Sequence, residues 1–372
     1  MSHLAEVYAK DLGVKIGEPI FKAHYYPIME ENYITIHNDN KVQAKEYSYW
    51  EEVIILVKKQ LPDIKFIQIG NGKEPRVKNV DKFIATNSIK QSAYIIKNSI
   101  MHIGTDSLPV HIASSFNKPL VAIYGHTLPA TCCPLWGDKN KHVLIESHRN
   151  GNKPSYSLKE NPKNIDLIKP EEIANGVLKL LGKEECDRET LYVGQKYKDA
   201  IIHVVPDHKY SLSNKNLVIR LDLLHKEENI IHLLQSNRSS ILTNKPLSDE
   251  VLSQKNIDNI SYFSNDFDSD FISRAKAKGV NLRLYCEDEK NLAKLRVKFF
   301  DHQIISYSKS KKIEQAKGLV SLDGENFKIK SYSVYMKDQK VIQSFYELND
   351  KKNLDDIFID LDHLMIYKES NE

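Results

Sequence analysis

The strongest constraint on the fold lies between Tyr33 and Gly125, where short apolar runs alternate with amphipathic stretches of helical spacing. Residues 33–37, 66–69, 101–104 and 120–125 read as strands, and 49–61, 89–98 and 109–116 as helices. In 49–61 the apolar residues Trp50, Val53, Ile54, Val57 and Leu61 fall on one helical face. Strands joined by helices pair in parallel through right-handed crossovers, so the segment predicts an α/β fold with a Rossmann-like parallel sheet covered on both faces. Ahead of it, Leu4, Val7, Tyr8 and Leu12 share a helical face and Gly13 is placed to stop that helix, so the chain opens on a helix.

After Gly125 the pattern loosens into a polar stretch, 137–164. A helix follows with Pro170 in its first turn, Ile173, Val177 and Leu180 on one face, and Gly182 past its end. The run 183–190 is charged and aperiodic, which sets a boundary between a domain over 1–186 and a second over 187–372. Length agrees, because 372 residues at roughly 150 per domain imply two to three domains. Beyond the boundary, strands over 201–205, 217–221, 240–243, 260–263 and 281–285 alternate with helices near 227–235, 268–278 and 289–299. This is a second α/β domain. Its tail, 328–336 and 341–347 around Lys337-Asp338-Gln339, reads as a β-hairpin.

Charge excludes little and announces nothing: 53 Lys+Arg against 50 Asp+Glu leaves a formal +3, so no nucleic-acid partner is expected. The amino terminus lacks the basic and apolar blocks of a secretion signal, and no apolar run approaches the length of a membrane span. The expectation is a cytoplasmic protein without a membrane span. Cys132, Cys133, Cys186 and Cys286 show no CxxC spacing and no nearby ligand histidines, so they read as reduced structural thiols.

The most informative stretch is Ile103-Gly-Thr-Asp106-Ser107-Leu108-Pro109-Val-His111-Ile-Ala, followed by Lys118-Pro-Leu-Val-Ala-Ile-Tyr-Gly125. A strand ends at Gly104, a short loop presents Asp106 and Ser107, and a helix starts near Pro109, where a missing N–H costs nothing. Free amides and the positive end of the helix dipole at such a start suit a diphosphate, and His111 lies one turn in on the side of Ser107. On spacing alone the bland alternative stands beside this: Asp106 or Ser107 caps the helix and His111 is a core residue.

The wording of this stretch, continued by Tyr-Gly125-His-Thr127-x-Pro129, resembles the donor-binding domain of glycosyltransferase family 9, the family of the lipopolysaccharide heptosyltransferases. The resemblance runs over about 1–182 and is specific over 103–129. It implies the GT-B fold, two facing Rossmann-like domains, of which the second holds the nucleotide sugar. It also implies that Asp106, Ser107 and His111 contact donor sugar and phosphates. Leu108 stands where the family has glycine, which puts a side chain where close approach to phosphate favours none. Lys45 resembles the lysine that reaches the donor phosphate, and Thr127 matches the Gly-x-Thr-x-Pro loop beside the donor. The loop Gln68-Ile-Gly70-Asn-Gly72 ends a strand where base or ribose could approach, with a purely conformational glycine turn as the alternative. His148, Arg149 and Lys153 read as a solvated basic loop, with phosphate contacts as the alternative.

The family's acceptor domain comes first and supplies a catalytic aspartate; here Met1 to Gly13 resembles the joint after that domain. The second α/β domain is the expected substitute. Within 216–231, a faint echo of the acceptor domain's opening leaves Asp222, Glu227 or Glu228 to supply the base, with Asp222 and Glu227 as the candidates, although carboxylates near a helix start are ordinarily caps. Asp266-x-Asp268-x-Asp270 and Asp360-x-Asp362 have the spacing of a divalent-cation site, but the resemblance implies catalysis without metal. The expectation is therefore an inverting, metal-independent glycosyltransferase with no cofactor beyond a nucleotide-diphosphate sugar as co-substrate. Its partners would be that nucleotide sugar, a carbohydrate or glycolipid acceptor and, if the missing half is separate, a second subunit. The alternative is a non-catalytic nucleotide-sugar or carbohydrate binding module.

Overall fold

The computed structural model describes residues 2–38, 41–194, 196–197, 201–307, 327–343, 348 and 361–369. It divides into two compact units, the first made of the residues up to Thr190 together with Glu369, and the second running from Leu191 to Lys368.

The first unit is built on six parallel strands, β1 Tyr33–His37, β2 Lys65–Gly70, β3 Lys82–Ala85, β4 Met101–Thr105, β5 Leu120–Tyr124 and β6 His142–Glu146, in the order β3-β2-β1-β4-β5-β6. Its helices are α1 Leu4–Asp11, α2 Trp50–Gln60, α3 Ile89–Asn98, α4 Leu108–Ser115, α5 Pro129–Cys132 and α6 Pro170–Leu180. Alternation along parallel strands sends Tyr33, Ile67, Ile69, Leu120 and Ala122 to one face, where they pack with Ile95 and Ile96 of α3 and Val110 and Ile112 of α4. On the other face α2 and α6 contact each other, and Val53, Ile54, Val57, Ile173 and Val177 are fully buried. Both faces are thus covered, as a parallel sheet requires.

Strand order reverses between β1 and β4, and in open α/β sheets that switch point is where the carboxyl ends open a crevice. The register pairs Thr35 with His102 and His37 with Gly104, so His37 closes β1 directly beside the end of β4. Two strands, β3 and β6, lie outside the sequence expectation. Both are edge strands: only Ile84 of β3 is buried and no residue of β6 is, and the run Val143-Leu144-Ile145 of β6 was passed over inside a segment read as polar.

Strand β7 Glu189–Val193 straddles the boundary, and the second unit contains β8 Ile201–Val204, β9 Asn216–Arg220, β10 Arg238–Thr243, β11 Ile257–Phe263, β12 Leu282–Cys286, β13 Ile304–Ser306, β14 Phe327–Ser331, β15 Ser333–Lys337, β16 Lys340–Ile342 and β17 Leu364–Lys368. Its helices are α7 Ile231–Ser236, α8 Asp249–Leu252, α9 Ser269–Ala277 and α10 Glu289–Lys298. The larger sheet has the order β13-β12-β11-β10-β9-β8-β15-β16 and the smaller β14-β17-β7. From β8 to β13 each strand is added on the same side of the last. Right-handed crossovers then place successive helices on one face, and Leu234, Val251, Phe271 and Leu295 of the four helices do share one core.

The expected strand over 328–336 is instead two strands in different sheets, β14 and β15. At Tyr332 the chain turns, because the Ser331 hydroxyl donates to Ser333 O and accepts from Ser333 N, both at 3.0 Å, in place of ladder bonds. The hairpin itself is β15 with β16, closed by Asp338 (φ 51°) and Gln339 (φ 60°), the left-handed pair a tight two-residue turn demands. Residues 344–347 of its expected second strand lie outside the described residues.

Candidate functional site

Residue by residue, the loop after β4 is built from the strand upward. Asp106 N donates to Ile123 O (3.2 Å), which extends the β4–β5 ladder by one rung and fixes the carboxylate at the sheet's edge. Ser107 is the N-cap of α4 and Pro109 its second residue. The helix begins one residue earlier than its proline suggested.

Asp106 is buried at 7% exposure, and its carboxylate is met from two loops. Thr127 Oγ1 donates to Oδ2 at 2.9 Å, and Lys45 Nζ stands 3.2 Å from the same oxygen while donating to the Asp106 carbonyl at 2.5 Å. Lys45 closes a 3-10 turn, Gln43–Lys45, which the 155–163 segment braces: Gln43 and Glu160 exchange hydrogen bonds at 3.0 and 2.8 Å, and Ala44 N donates to Leu158 O. His111, one turn into α4, is held neutral: burial pushes its imidazole below the ordinary range, the Asp106 charge pulls it back up, and His3 and Lys45 push it further down. The structure thus brings Lys45, Asp106, Thr127 and His111 into one electrostatic neighbourhood.

Gly125 precedes Thr127 for a steric reason. A Cβ there would stand 2.5–2.7 Å from the backbone and Cβ of Ile165, closer than any real contact. Its carbonyl is clamped by Arg149 Nη1 at 3.2 Å. Arg149 is therefore neither solvated nor a phosphate ligand: it is buried, donates to Gly125 O and Asn152 O, and pairs with Glu146. The basic-loop expectation fails at that residue because the arginine is spent inside the fold. His148 and Lys153 are exposed.

On the other side of Ser107 a cavity of about 360 Å³ opens at the carboxyl ends of β1, β2 and β3. His37, Lys41, Gly70, Glu74, Asn87, Ser107 and Leu108 are among its walls, so Gly70 and Ser107 face one space. Gly70 has no side chain for a reason visible here: a Cβ would stand 2.7 Å from Glu74 Oε2, the oxygen that accepts from Asn71 N. Leu108, at 44% exposure, projects on the rim, where the family has glycine. Lys41 and Asn87 escaped the sequence reading, and so did two further cavity residues. His37 was legible only as a strand end, and Glu74 only as a carboxylate four residues past Gly70.

In the second unit, Asp222 and Glu227 are both engaged. Arg220, completely buried, donates from Nε to Asp222 Oδ1 (2.8 Å) and from Nη2 to Oδ2 (2.7 Å). Glu227 Oε1 lies 3.1 Å from His225 Nε2, and Oε2 accepts from Ser248 N at 3.1 Å.

The Asp-x-Asp series does not converge. Asp268 caps α9 by accepting from Phe271 N, Asp270 pairs with Arg274, and Asp360 lies outside the described residues. Asp207, His208 and Asp338 come within metal-ligand distance of one another, yet Asp207 is used by Tyr210 Oη and Asp338 N, which dock the hairpin. Among the described residues no helix is long and apolar enough to cross a membrane.

Comparison with known proteins bears on the first unit. Residues 25–162 match the profile of glycosyltransferase family 9 (heptosyltransferase). Three similar solved structures are a family 9 glycosyl transferase from Veillonella parvula, the iron-containing dodecameric glycosyltransferase TibC from enterotoxigenic E. coli, and the E. coli heptosyltransferase WaaC with ADP. Identities are 15%, 18% and 15%, with TM-scores of 0.37, 0.35 and 0.31. The alignments cover 49%, 46% and 48% of this chain and 60%, 52% and 54% of the others, so the chain spans less than two thirds of their length. No curated protein matches. The expected resemblance is therefore borne out over the segment that carries Lys45, Asp106, His111 and Thr127: residues 25–162, under half of the chain, are similar to glycosyltransferase family 9 (heptosyltransferase).

Proposed function

We propose that the first unit binds a nucleotide-diphosphate sugar and that the chain is a glycosyltransferase, inverting and metal-independent, acting on a carbohydrate or glycolipid acceptor. One observation carries this reading. The switch-point cavity shares Ser107 and the start of α4 with the loop that holds Asp106, Lys45 and Thr127, so a nucleoside in the cavity would direct its diphosphate toward a helix start and a lysine. Inverting transfer needs a base to take the acceptor hydroxyl proton while that oxygen bonds to the anomeric carbon and the diphosphate leaves. Lys45 and the α4 amides would take up the charge on the departing diphosphate, and His111, held neutral, would donate or accept a hydrogen bond at the sugar. No cofactor beyond the co-substrate enters this reading.

A second reading, a nucleotide-sugar binding module whose acceptor half is another subunit, is favoured by the state of the proposed bases. Both oxygens of Asp222 accept from Arg220, and the two oxygens of Glu227 are met by His225 and by Ser248 N. Calorimetric titration with ADP, GDP, UDP and CDP tests what the readings share, and the expected outcome is selective binding of one base. Transfer from the corresponding sugar nucleotide in the presence of a chelator, with inverted anomeric configuration, separates enzyme from module. Retained configuration, or an absolute requirement for magnesium or manganese, would refute the catalytic reading as stated.

A further inference from the structure

We propose that His37 is a positioning residue of the diphosphate site, acting through Ser107; the proposal rests on the donor reading above. Ser107 occupies the N-cap of α4, where a serine hydroxyl ordinarily accepts from the amides of the first turn, yet it makes no such bond. The hydroxyl is turned the other way. Its oxygen lies 3.1 Å from the Thr105 carbonyl and 3.1 Å from His37 Nδ1. A carbonyl only accepts and a hydroxyl carries one proton, so that proton goes to Thr105 O and His37 donates its Nδ1–H to Ser107 Oγ. This fixes the imidazole tautomer and keeps the hydroxyl off the amides at the start of α4, which stay available to an anion.

His37 is itself held from below. Its register partner is Gly104, and a Cβ on Gly104 would stand 3.0 Å from His37 O and 3.2 Å from His102 Nε2. His102 is fully buried, with Nδ1 3.0 Å from Thr35 Oγ1. Thr35 Oγ1 also lies 3.2 Å from Met101 O. A line of ordered groups, Thr35, His102, Gly104, His37 and Ser107, runs up the face shared by β1 and β4 and ends on the cavity wall, which both His37 and Ser107 line.

The test is calorimetry on the full chain with the nucleoside diphosphate that the wild type binds and with the corresponding nucleoside. His37→Asn places an N–H where Nδ1 was, His37→Gln places it a bond further out, and His37→Ala removes it. The expected result is about tenfold weaker diphosphate binding for His37→Ala and His37→Gln, with affinity within about threefold of wild type for His37→Asn, and in each case a larger loss for the diphosphate than for the nucleoside. Because His37 acts through Ser107, Ser107→Ala with His37→Ala should bind no more weakly than Ser107→Ala alone. Wild-type affinity in His37→Ala, no rescue by His37→Asn, or loss of nucleoside and diphosphate binding together would overturn the role of His37. Failure of the wild type to bind any of the four diphosphates would instead overturn the donor reading.

Discussion

Asp106 shows how one buried carboxylate can organise three loops. Lys45 and Thr127 converge on it from the ends of β1 and β5, so both side chains are placed before any ligand arrives. On the donor reading, Lys45→Ala removes a charge-assisted hydrogen bond to phosphate, and diphosphate binding should weaken by about 1.5–3 kcal/mol, roughly ten- to a hundredfold. Calorimetry reads this directly; unchanged affinity would reduce Lys45 to a clamp on Asp106. Gly125→Ala acts on the same loop by sterics. With Ile165 backbone in the way, it should cost about 1–3 kcal/mol of stability, the range for overpacking, and lower the melting temperature by several degrees. A melting curve like the wild type's would show that the Ile165 segment yields. At this scale the sequence was readable where a motif names its residues, as at Lys45 and Thr127. It was silent at His37 and Glu74, whose roles depend on which strand lies beside which.

Central strand β4 carries a second buried histidine with a consequence for acid stability. Burial pushes the His102 imidazole down to about 3, and neighbouring His37 adds to the effect. An unfolded histidine takes its proton near pH 6.5, so between roughly pH 6.5 and 3 the unfolded chain binds a proton that the folded chain refuses. Stability therefore rises with pH across that window and falls by about 1.4 kcal/mol per unit on acidification for such a group. His102→Asn keeps a donor toward Thr35 without the titration, and urea unfolding at pH 7, 5 and 4 should show a shallower acid loss than in the wild type; equal slopes would place the acid sensitivity elsewhere. The elements themselves divide by burial in how far the sequence revealed them. Helix α3 falls where its spacing put it, and strands β1, β2, β4 and β5, buried on both faces, announced themselves as apolar runs. The half-covered edge β3 did not, the short run Val143-Leu144-Ile145 of β6 was masked by its polar surroundings, and the break between β14 and β15 hung on one serine whose side chain replaced a ladder bond.

At the scale of the whole molecule, the first unit has a parallel sheet covered on both faces and its own switch-point cavity, while the candidate bases follow β9 of a sheet of different winding. If the donor reading holds, binding and transfer should separate on truncation, and the structure says where to cut. The charged run after α6 is not a free linker. Cys186 N donates to Asn175 Oδ1 at 2.8 Å, and Thr190 donates from N and Oγ1 to the two oxygens of buried Glu171 at 2.6 and 2.8 Å. A chain ended after Lys183 would strip those partners and leave Glu171 uncompensated, a cost of about 1–3 kcal/mol or more for a buried charged group. Ended after Thr190, the first unit keeps them. That shorter chain should bind the nucleoside diphosphate with the affinity of the full chain and transfer no sugar, because a lone donor unit leaves the anomeric carbon open to water with no base positioned. Binding by calorimetry and transfer by product analysis on the same preparation decide it. Transfer by the shorter chain would place the base in the first unit and dismiss Asp222 and Glu227 together, whereas absence of transfer from the full chain as well would favour the binding module and a separate acceptor subunit.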